Sequence, residues 1–305
     1  MSKIYFYAED EKHSRITTAL IQDSGNLACA LCFGKEIPAS VKNSGANMIV
    51  WFEADDDSPE HYAKLLSERL VETNATAALF ESTARGRELA AHVAGFLNAP
   101  MFSDASKLEI KTEGLSCEHT IYGGMMLRSS SAEGFAIATT QAGFYEREVP
   151  KKEVEEIERI KATEIDTRVQ VISREDIVKA GVDLAAAPVI ICAGLGISDI
   201  EDLAILEALA VESGGAVACT RGVAEDRGWF AAELYIGISG KILNPDLYLG
   251  VGVSGQIQHM YGIRGAKTVA AINTDECAPI VKSSDYALIG DYKEVAPALL
   301  AALKK

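Results

Sequence analysis

The 305-residue sequence has no apolar run approaching the roughly 18–20 residues a membrane-spanning helix requires, so membrane insertion is not expected. It is poor in positive charge. Its 29 lysines and arginines face 44 aspartates and glutamates, a formal net charge of −15. Nucleic acids and anionic lipid surfaces are held by clustered cations, so this balance argues against both as partners. Cysteine is sparse as well. Six residues, scattered along a chain of this size, do not make the disulfide framework of a secreted domain. They form no cluster suited to an iron–sulfur centre, and no metal site is expected. The one C-x-x-C pair, Cys29 and Cys32 in NLACALCFG, lies in an apolar segment that reads as a strand. Side chains three apart on a strand face opposite ways, so these thiols are expected to be buried and unpaired. No repeat of 20–50 residues is visible. The N-terminal MSKIYFYAEDEKHS loses its apolar character within one strand length, unlike a signal or transit peptide. The chain is therefore expected to be soluble and cytoplasmic.

What is present is the composition of a folded protein, with 48% hydrophobic and 24% charged residues. Short apolar runs rich in β-branched and aromatic residues (KIYFYA, LACALCF, NMIVWF, TAALFE) alternate with helical patterns. SPEHYAKLLSERLVET puts Tyr62, Leu65, Leu66 and Leu70 on one face, with Ser58 as the expected N-cap and Pro59 at the first helical position. ESTARGRELAAHVAGFLNAP predicts a helix with Leu89, Val93, Phe96 and Leu97 inward. KKEVEEIERIKATEI reads as a solvated charged stretch. After GVDLAAAP, small residues and a proline that mark a boundary, the alternation restarts with VIICAG, AVACTR, DLYLGVG, KTVAAIN and DYALIGD. The expected fold class is α/β. Two domains, residues 1–187 and 188–305, each carry a mostly parallel sheet flanked by helices, the second doubly wound.

In such a sheet ligands sit beyond the carboxyl ends of the strands. Those ends in the second domain carry Gly194-Leu195-Gly196, Arg221, the turn GVGVSG, Asn273-Thr274-Asp275 and Gly290-Asp291. Gly250, Gly252 and Gly255 match G-x-G-x-x-G. Glycine allows positive φ and a close backbone approach to phosphate, and Ser254 is placed to cap the following helix or bond a phosphate oxygen. Asp275, 20 residues beyond Gly255, stands where an NAD-binding acid is expected, which makes an NAD-dependent oxidoreductase one reading. Against it, the motif comes late in the domain, its helix ends by about Gly262, and Gln258 and His259 occupy positions a pyrophosphate loop does not need. The other reading is that the glycines merely pack a tight turn. No nucleophile–base pair stands out, so no catalytic residue is assigned.

Taken together, AGLGI, ACTRGVAEDRGW, YIGISGKILNPDLYLGVGVSGQIQHMYG, VAAINTDECAPI and DYALIGDYKEVAP resemble the alpha subunit of electron transfer flavoproteins. STARGRELAAHVAGFLNAPMFSDAS carries a weaker likeness in the first domain. The resemblance implies FAD bound in the second domain and a beta subunit docked on the first, completing a heterodimer. It implies that electrons pass between a flavin dehydrogenase, such as an acyl-CoA dehydrogenase, and another acceptor. This happens either as simple carriage or within a bifurcating pair. By the same resemblance Arg221 lies against the isoalloxazine ring and Ser239 offers its hydroxyl near flavin N5. Gly252, Ser254, Gly255 and Gln258 serve the phosphate and ribityl region, and His259 reaches the pyrimidine edge. Asn273, with Thr274 and Asp275 beside it, and Asp291 hold the adenosine portion. An arginine and a donor histidine there would favour added electrons. Leu195, Ile238 and Tyr235 depart from the family's usual arginine, glutamine and glutamine.

Overall fold

The computed structural model describes residues 2–56, 58–141, 143–163, 165–166, 168–169, 171–173 and 183–304. The chain divides into two compact units, one of Met1–Ile121 with Met126–Arg174 and one of Tyr122–Met125 with Glu175–Lys305. No helix among the described residues is long and apolar enough to cross a membrane.

In the first unit β1 (Lys3–Tyr7), β2 (Leu27–Phe33), β3 (Met48–Glu53), β4 (Ala77–Glu81) and β5 (Met101–Ala105) come first. Then β6 (Lys107–Lys111), β7 (Gly114–Ile121) and β8 (Met126–Glu133) form a separate antiparallel sheet. β9 (Ala136–Thr140) and β10 (Ile157–Lys161) return to the main sheet, whose described order is β10-β3-β2-β1-β4-β9-β5, parallel throughout. The helices are α1 (Glu11–Asp23), α2 (Ala39–Lys42), α3 (Ala63–Glu72) and α4 (Ala84–Leu97). Helices on both faces bury the inner strands twice over, which is why β1, β2 and β4 read as unbroken apolar runs and not as alternations. Cys29 packs in the cluster on one face and Cys32 in the cluster on the other. All six cysteines are free.

Three local expectations change. The segment from Pro59 to Tyr62 is a 3₁₀ turn, and the α-helix starts only at Ala63. Ser58 precedes that turn without a side-chain cap bond. The turn is drawn tight by Asp56, whose carboxylate accepts from the Ser58 amide (2.8 Å) and faces His61 Nδ1 (2.7 Å). On α4, Leu89 and Val93 are buried but Phe96 is 55% exposed. The buried stripe, with Gly86 and Ala90, lies to one side of Phe96, which falls on its outer margin in the last turn. The charged stretch is not simply solvated. Ile157–Lys161 pairs in parallel with β3 and closes the sheet edge. Its charges suit an edge strand, with Arg159 pairing with Glu53 and lying 5.1 Å over the Trp51 ring.

The second unit runs β11 (Val189–Ala193), α5 (Leu203–Glu212), β12 (Ala216–Thr220), α6 (Arg221–Glu225), β13 (Tyr235–Ile236), β14 (Leu247–Val251), α7 (Ile257–Tyr261), β15 (Thr268–Asn273), α8 (Pro279–Ser283), β16 (Tyr286–Ile289) and α9 (Tyr292–Leu303). Its parallel sheet has the order β13-β12-β11-β14-β15-β16. Counted within the unit this is 3-2-1-4-5-6, the doubly wound order whose direction reverses between the first and fourth strands. One face packs Ile191 and Leu249 against Leu206 of α5 and Ala296 of α9. The other packs Cys192 and Tyr248 with Ile263 and Ile280.

His13, on α1, supplies a test of the first core. It is 5% exposed, stacks on Phe144 at 5.2 Å and has Nε2 2.9 Å from Thr140 Oγ1. Burial pulls its pKa down to about 4, against a smaller upward pull from Asp10. A histidine depressed in the folded state contributes stability that is full above its ordinary pKa and lost as pH falls through the folded value. The stability difference between the wild-type chain and His13→Gln is therefore expected to shrink by roughly 3 kcal/mol between pH 7 and pH 4 in denaturant titrations. A difference that stays constant over that interval would show the imidazole is not held neutral.

Candidate functional site

The reversal of strand order opens a crevice at the carboxyl edge of the second sheet, where the loops after β11 and β14 diverge to opposite faces. These two loops meet backbone to backbone. The amides of Gly194 and Gly196 donate to the carbonyls of Val251 and Gly252, each at 2.9 Å. A Cβ on Gly194 would stand 2.1 Å from the Gly252 carbonyl oxygen, and one on Gly196 would stand 2.8 Å from the Gly252 Cα. Gly252 itself has φ +63°. Gly255, at φ +79°, faces the Ile280 amide so closely that a Cβ would stand 2.3 Å from its nitrogen. The motif's glycines are thus needed first for packing the turn and the adjoining loop. They are not needed only for approach to a ligand.

Around this junction lies a cavity of about 720 Å³, within the range of small-molecule and cofactor sites. Arg221, Ser239, Gly252, Ser254, Gln258, His259, Asn273 and Asp275 all line it. Gly255, Thr274 and Asp291 are not among its lining residues. Asp291 caps α9, its carboxylate accepting from the Lys293 amide at 2.9 Å. Ser254 does not cap α7. Gln256 holds the cap position, and the Ser254 carbonyl accepts from the Ile280 amide (3.1 Å). Asn273 ties the rim together. Its Nδ2 donates to the Val253 carbonyl (2.8 Å) and its Oδ1 accepts from the Asp275 amide (3.0 Å). Arg227, outside the lining, does the same for the first loop, donating to the carbonyls of Leu195 and Ile197 while lying 4.5 Å over Trp229.

Sequence reasoning missed Thr220 and Gln256 in this wall. Thr220 ends β12 next to Arg221, and its Oγ1 is buried with no hydrogen-bond partner among the described residues. A buried orphan hydroxyl in a cavity wall is costly unless something in the cavity meets it. Position alone could have flagged it, as the last residue of a strand in a sheet that binds at its carboxyl edge.

Charge is thinly spread here. Arg221 and Asp275 are the formally charged side chains in the described lining. Arg221 is exposed, and its Nε bonds Glu225 at 2.6 Å, which raises the guanidinium pKa further. His259 is 8% exposed, and both of its ring nitrogens are engaged, Nε2 with the Tyr248 hydroxyl (2.7 Å) and Nδ1 with the Ile236 carbonyl (3.2 Å). Burial brings its pKa down to about 4, the Ile236 bond working the other way. Apolar surface comes from Leu195, Ile238 and Val253.

An elongated group with an apolar ring and an anionic, hydrogen-bonding tail fits these walls. Apolar side chains and a single cation stand toward β12 and β13, and a loop with Ser254, Gln256 and Asn273 toward β14 and β15. The glycine junction keeps side chains out of the gap between the two loops, and the orphan Thr220 hydroxyl asks for a partner. These residues fit FAD.

Comparison with known proteins agrees in both units. Residues 183–264 match the electron transfer flavoprotein FAD-binding domain, and residues 17–165 match the electron transfer flavoprotein domain. Protein FixB of Salmonella typhimurium (strain LT2) is 35% identical over 265 residues, 84% of this chain and 84% of its own length. Protein FixB of Escherichia coli O127:H6 is 35% identical over 257 residues, 82% of this chain and 81% of its own.

The junction of the two loops can be tested alone. Gly194→Ala is expected to destabilise the second unit by about 1–3 kcal/mol, since a methyl group must push one loop off the other. Chemical denaturation of the full chain measures it. A neutral substitution would mean that the loops do not meet as described.

Proposed function

This chain belongs to the electron transfer flavoprotein alpha-subunit family, and on that footing we propose that it is the FAD-carrying subunit of a two-subunit electron carrier. In this reading a beta subunit docks on the first unit to form a cytoplasmic heterodimer. The pair takes electrons from a flavin dehydrogenase of the acyl-CoA dehydrogenase kind and gives them to a second acceptor.

The observation that carries this reading is the make-up of the cavity. Its wall offers binding groups, one cation and one carboxylate, Asp275, whose Oδ1 accepts from the Cys277 amide, and among the described residues no nucleophile is hydrogen-bonded to a base there. The lone imidazole is engaged on both nitrogens. That is the equipment of a carrier that tunes a bound group, not of an enzyme that performs acid–base chemistry. When bound, FAD supplies the reversible acceptance of one or two electrons. The chain's own residues do the rest. The guanidinium of Arg221 favours added negative charge in the cavity, an effect softened by its exposure and by Glu225. Ser239, early in the loop after β13, carries a hydroxyl at the rim. Ser254 and Gln256 in the loop after β14, and Gln258 in the first turn of α7, offer hydrogen bonds. Leu195 and Ile238, 51% and 46% exposed, put apolar surface where the family usually has polar groups. This reduces local polarity around the ring and leaves Arg221 to set the local charge.

Co-expression with the cognate beta subunit tests the assignment. The expected product is a yellow heterodimer that releases FAD on denaturation. One flavin per pair goes with simple carriage, and two go with a pair that divides electrons between acceptors. A colourless heterodimer that takes up no added FAD would overturn the reading. Arg221→Ala is expected to lower the potential of the bound flavin, by about 30 mV for a tenfold weaker preference in a two-electron step. An unchanged redox titration would remove Arg221 from the ring's surroundings.

A further inference from the structure

His259 lines the cavity, and both of its ring nitrogens are bonded to the sheet, Nδ1 to the Ile236 carbonyl and Nε2 to Tyr248, which lies outside the lining. A carbonyl oxygen can only accept, so the bond to Ile236 fixes the proton on Nδ1. Nε2 is then bare and must accept, and the Tyr248 hydroxyl at 2.7 Å is its donor. Tyr248, the second residue of β14, is fully buried, with its ring 5.8 Å from that of His259. Among the described residues Cys192 of β11, with Sγ 4.0 Å from Nε2, is the other titratable group bonded to the imidazole, and its thiol is pushed up by burial. The strand β13 offers it only the Ile236 carbonyl.

The arrangement crosses the sheet. β14 lies three strands from β13, so the chain of bonds from Tyr248 through His259 to Ile236 links a central strand to the edge strand that leads into Ser239. The backbone reinforces the same link, the Ile238 amide donating to the Gln258 carbonyl at 2.9 Å. A bond from Tyr248 to the bare nitrogen stabilises the uncharged ring and opposes its protonation.

We infer that Tyr248 is a positioning residue for the cofactor site: by donating its phenol proton to His259 Nε2, it holds that imidazole as an uncharged, Nδ1-protonated wall and leaves Arg221 as the one cationic side chain in the described lining. The redox consequence rests on the flavin reading above, whereas the state of the imidazole does not. The depression of the His259 pKa to about 4 agrees with it.

The test separates the two. In flavin-free full-length chain, the ring nitrogens and the C2 proton of His259 are followed by NMR from pH 8 to pH 4, with His259→Gln identifying the signal among the five histidines. The wild type is expected to show an Nδ1–H tautomer that does not titrate above pH 5. In Tyr248→Phe the midpoint is expected to rise by at least about one pH unit, a tenfold easier protonation. Replacing Tyr248 with 3-fluorotyrosine keeps ring and hydroxyl but strengthens the donor, so it is expected to move the Nε2 shift even if the phenylalanine variant does not fold. An ordinary midpoint near 6.5 in the wild type, an Nε2–H tautomer, or an Nε2 shift indifferent to both changes at 248 would each overturn the inference. In the flavin-loaded heterodimer, the midpoint potential of Tyr248→Phe is expected to rise below its new His259 midpoint, a break the wild type lacks. If the NMR results hold and this break is missing, the imidazole is placed as inferred and its proximity to flavin is what fails.

Discussion

The second unit depends on two loops that touch through their backbones. Where the sheet order reverses, the turn after β11 and the turn after β14 are bonded amide to carbonyl, and no side chain larger than hydrogen fits at Gly194 or Gly196. That contact lets the two loops leave in opposite directions, α5 covering one face while α7 covers the other. The crevice between them is the place where a doubly wound sheet can admit a ligand. A glycine-rich turn that looks like a dinucleotide fingerprint therefore answers first to packing. It follows the fourth strand of the unit, whereas the dinucleotide-binding turn belongs to the first. Here the first strand carries Gly194-Leu195-Gly196 instead.

The cavity built on that junction is chemically restrained. Its imidazole is tied to Tyr248 and Ile236, its asparagine to two loop backbones, and its arginine to a neighbouring glutamate. Fixed dipoles and one screened cation suit a site that must accept and release charge with little rearrangement, because preset groups need no reorganisation as charge arrives.

Much of this was legible in the sequence. Apolar runs buried on both faces give strands of parallel sheets, and their carboxyl ends pointed to Arg221, Gly252, Ser254, Asn273 and Asp275 of the cavity lining, whereas Ser239, Gln258 and His259 came from the family resemblance. What was not legible depended on contacts between distant segments. The edge strand Ile157–Lys161 hid in a charged stretch because an edge needs no apolar run, only a neighbour such as β3 with which to pair. Ser254 looks like a helix cap in the sequence, but α7 begins at Ile257 with Gln256 in the cap position, and the Ser254 carbonyl bonds Ile280, 26 positions on. The histidine was readable as a cavity residue, but its partners were not. Tyr248 lies 11 residues away on a strand whose facing no local spacing reveals, and Ile236 lies across the sheet.

The central claim is that FAD sits on the carboxyl edge of the second sheet, over the glycine junction. Hydrogen–deuterium exchange of the full chain with and without FAD tests it most directly, since it reads each backbone segment. The account predicts slowed exchange in three stretches, 220–222, 237–240 and 252–258, when FAD is added. Flavin that binds while those stretches exchange unchanged, with protection appearing instead at the carboxyl edge of the first sheet, would contradict it.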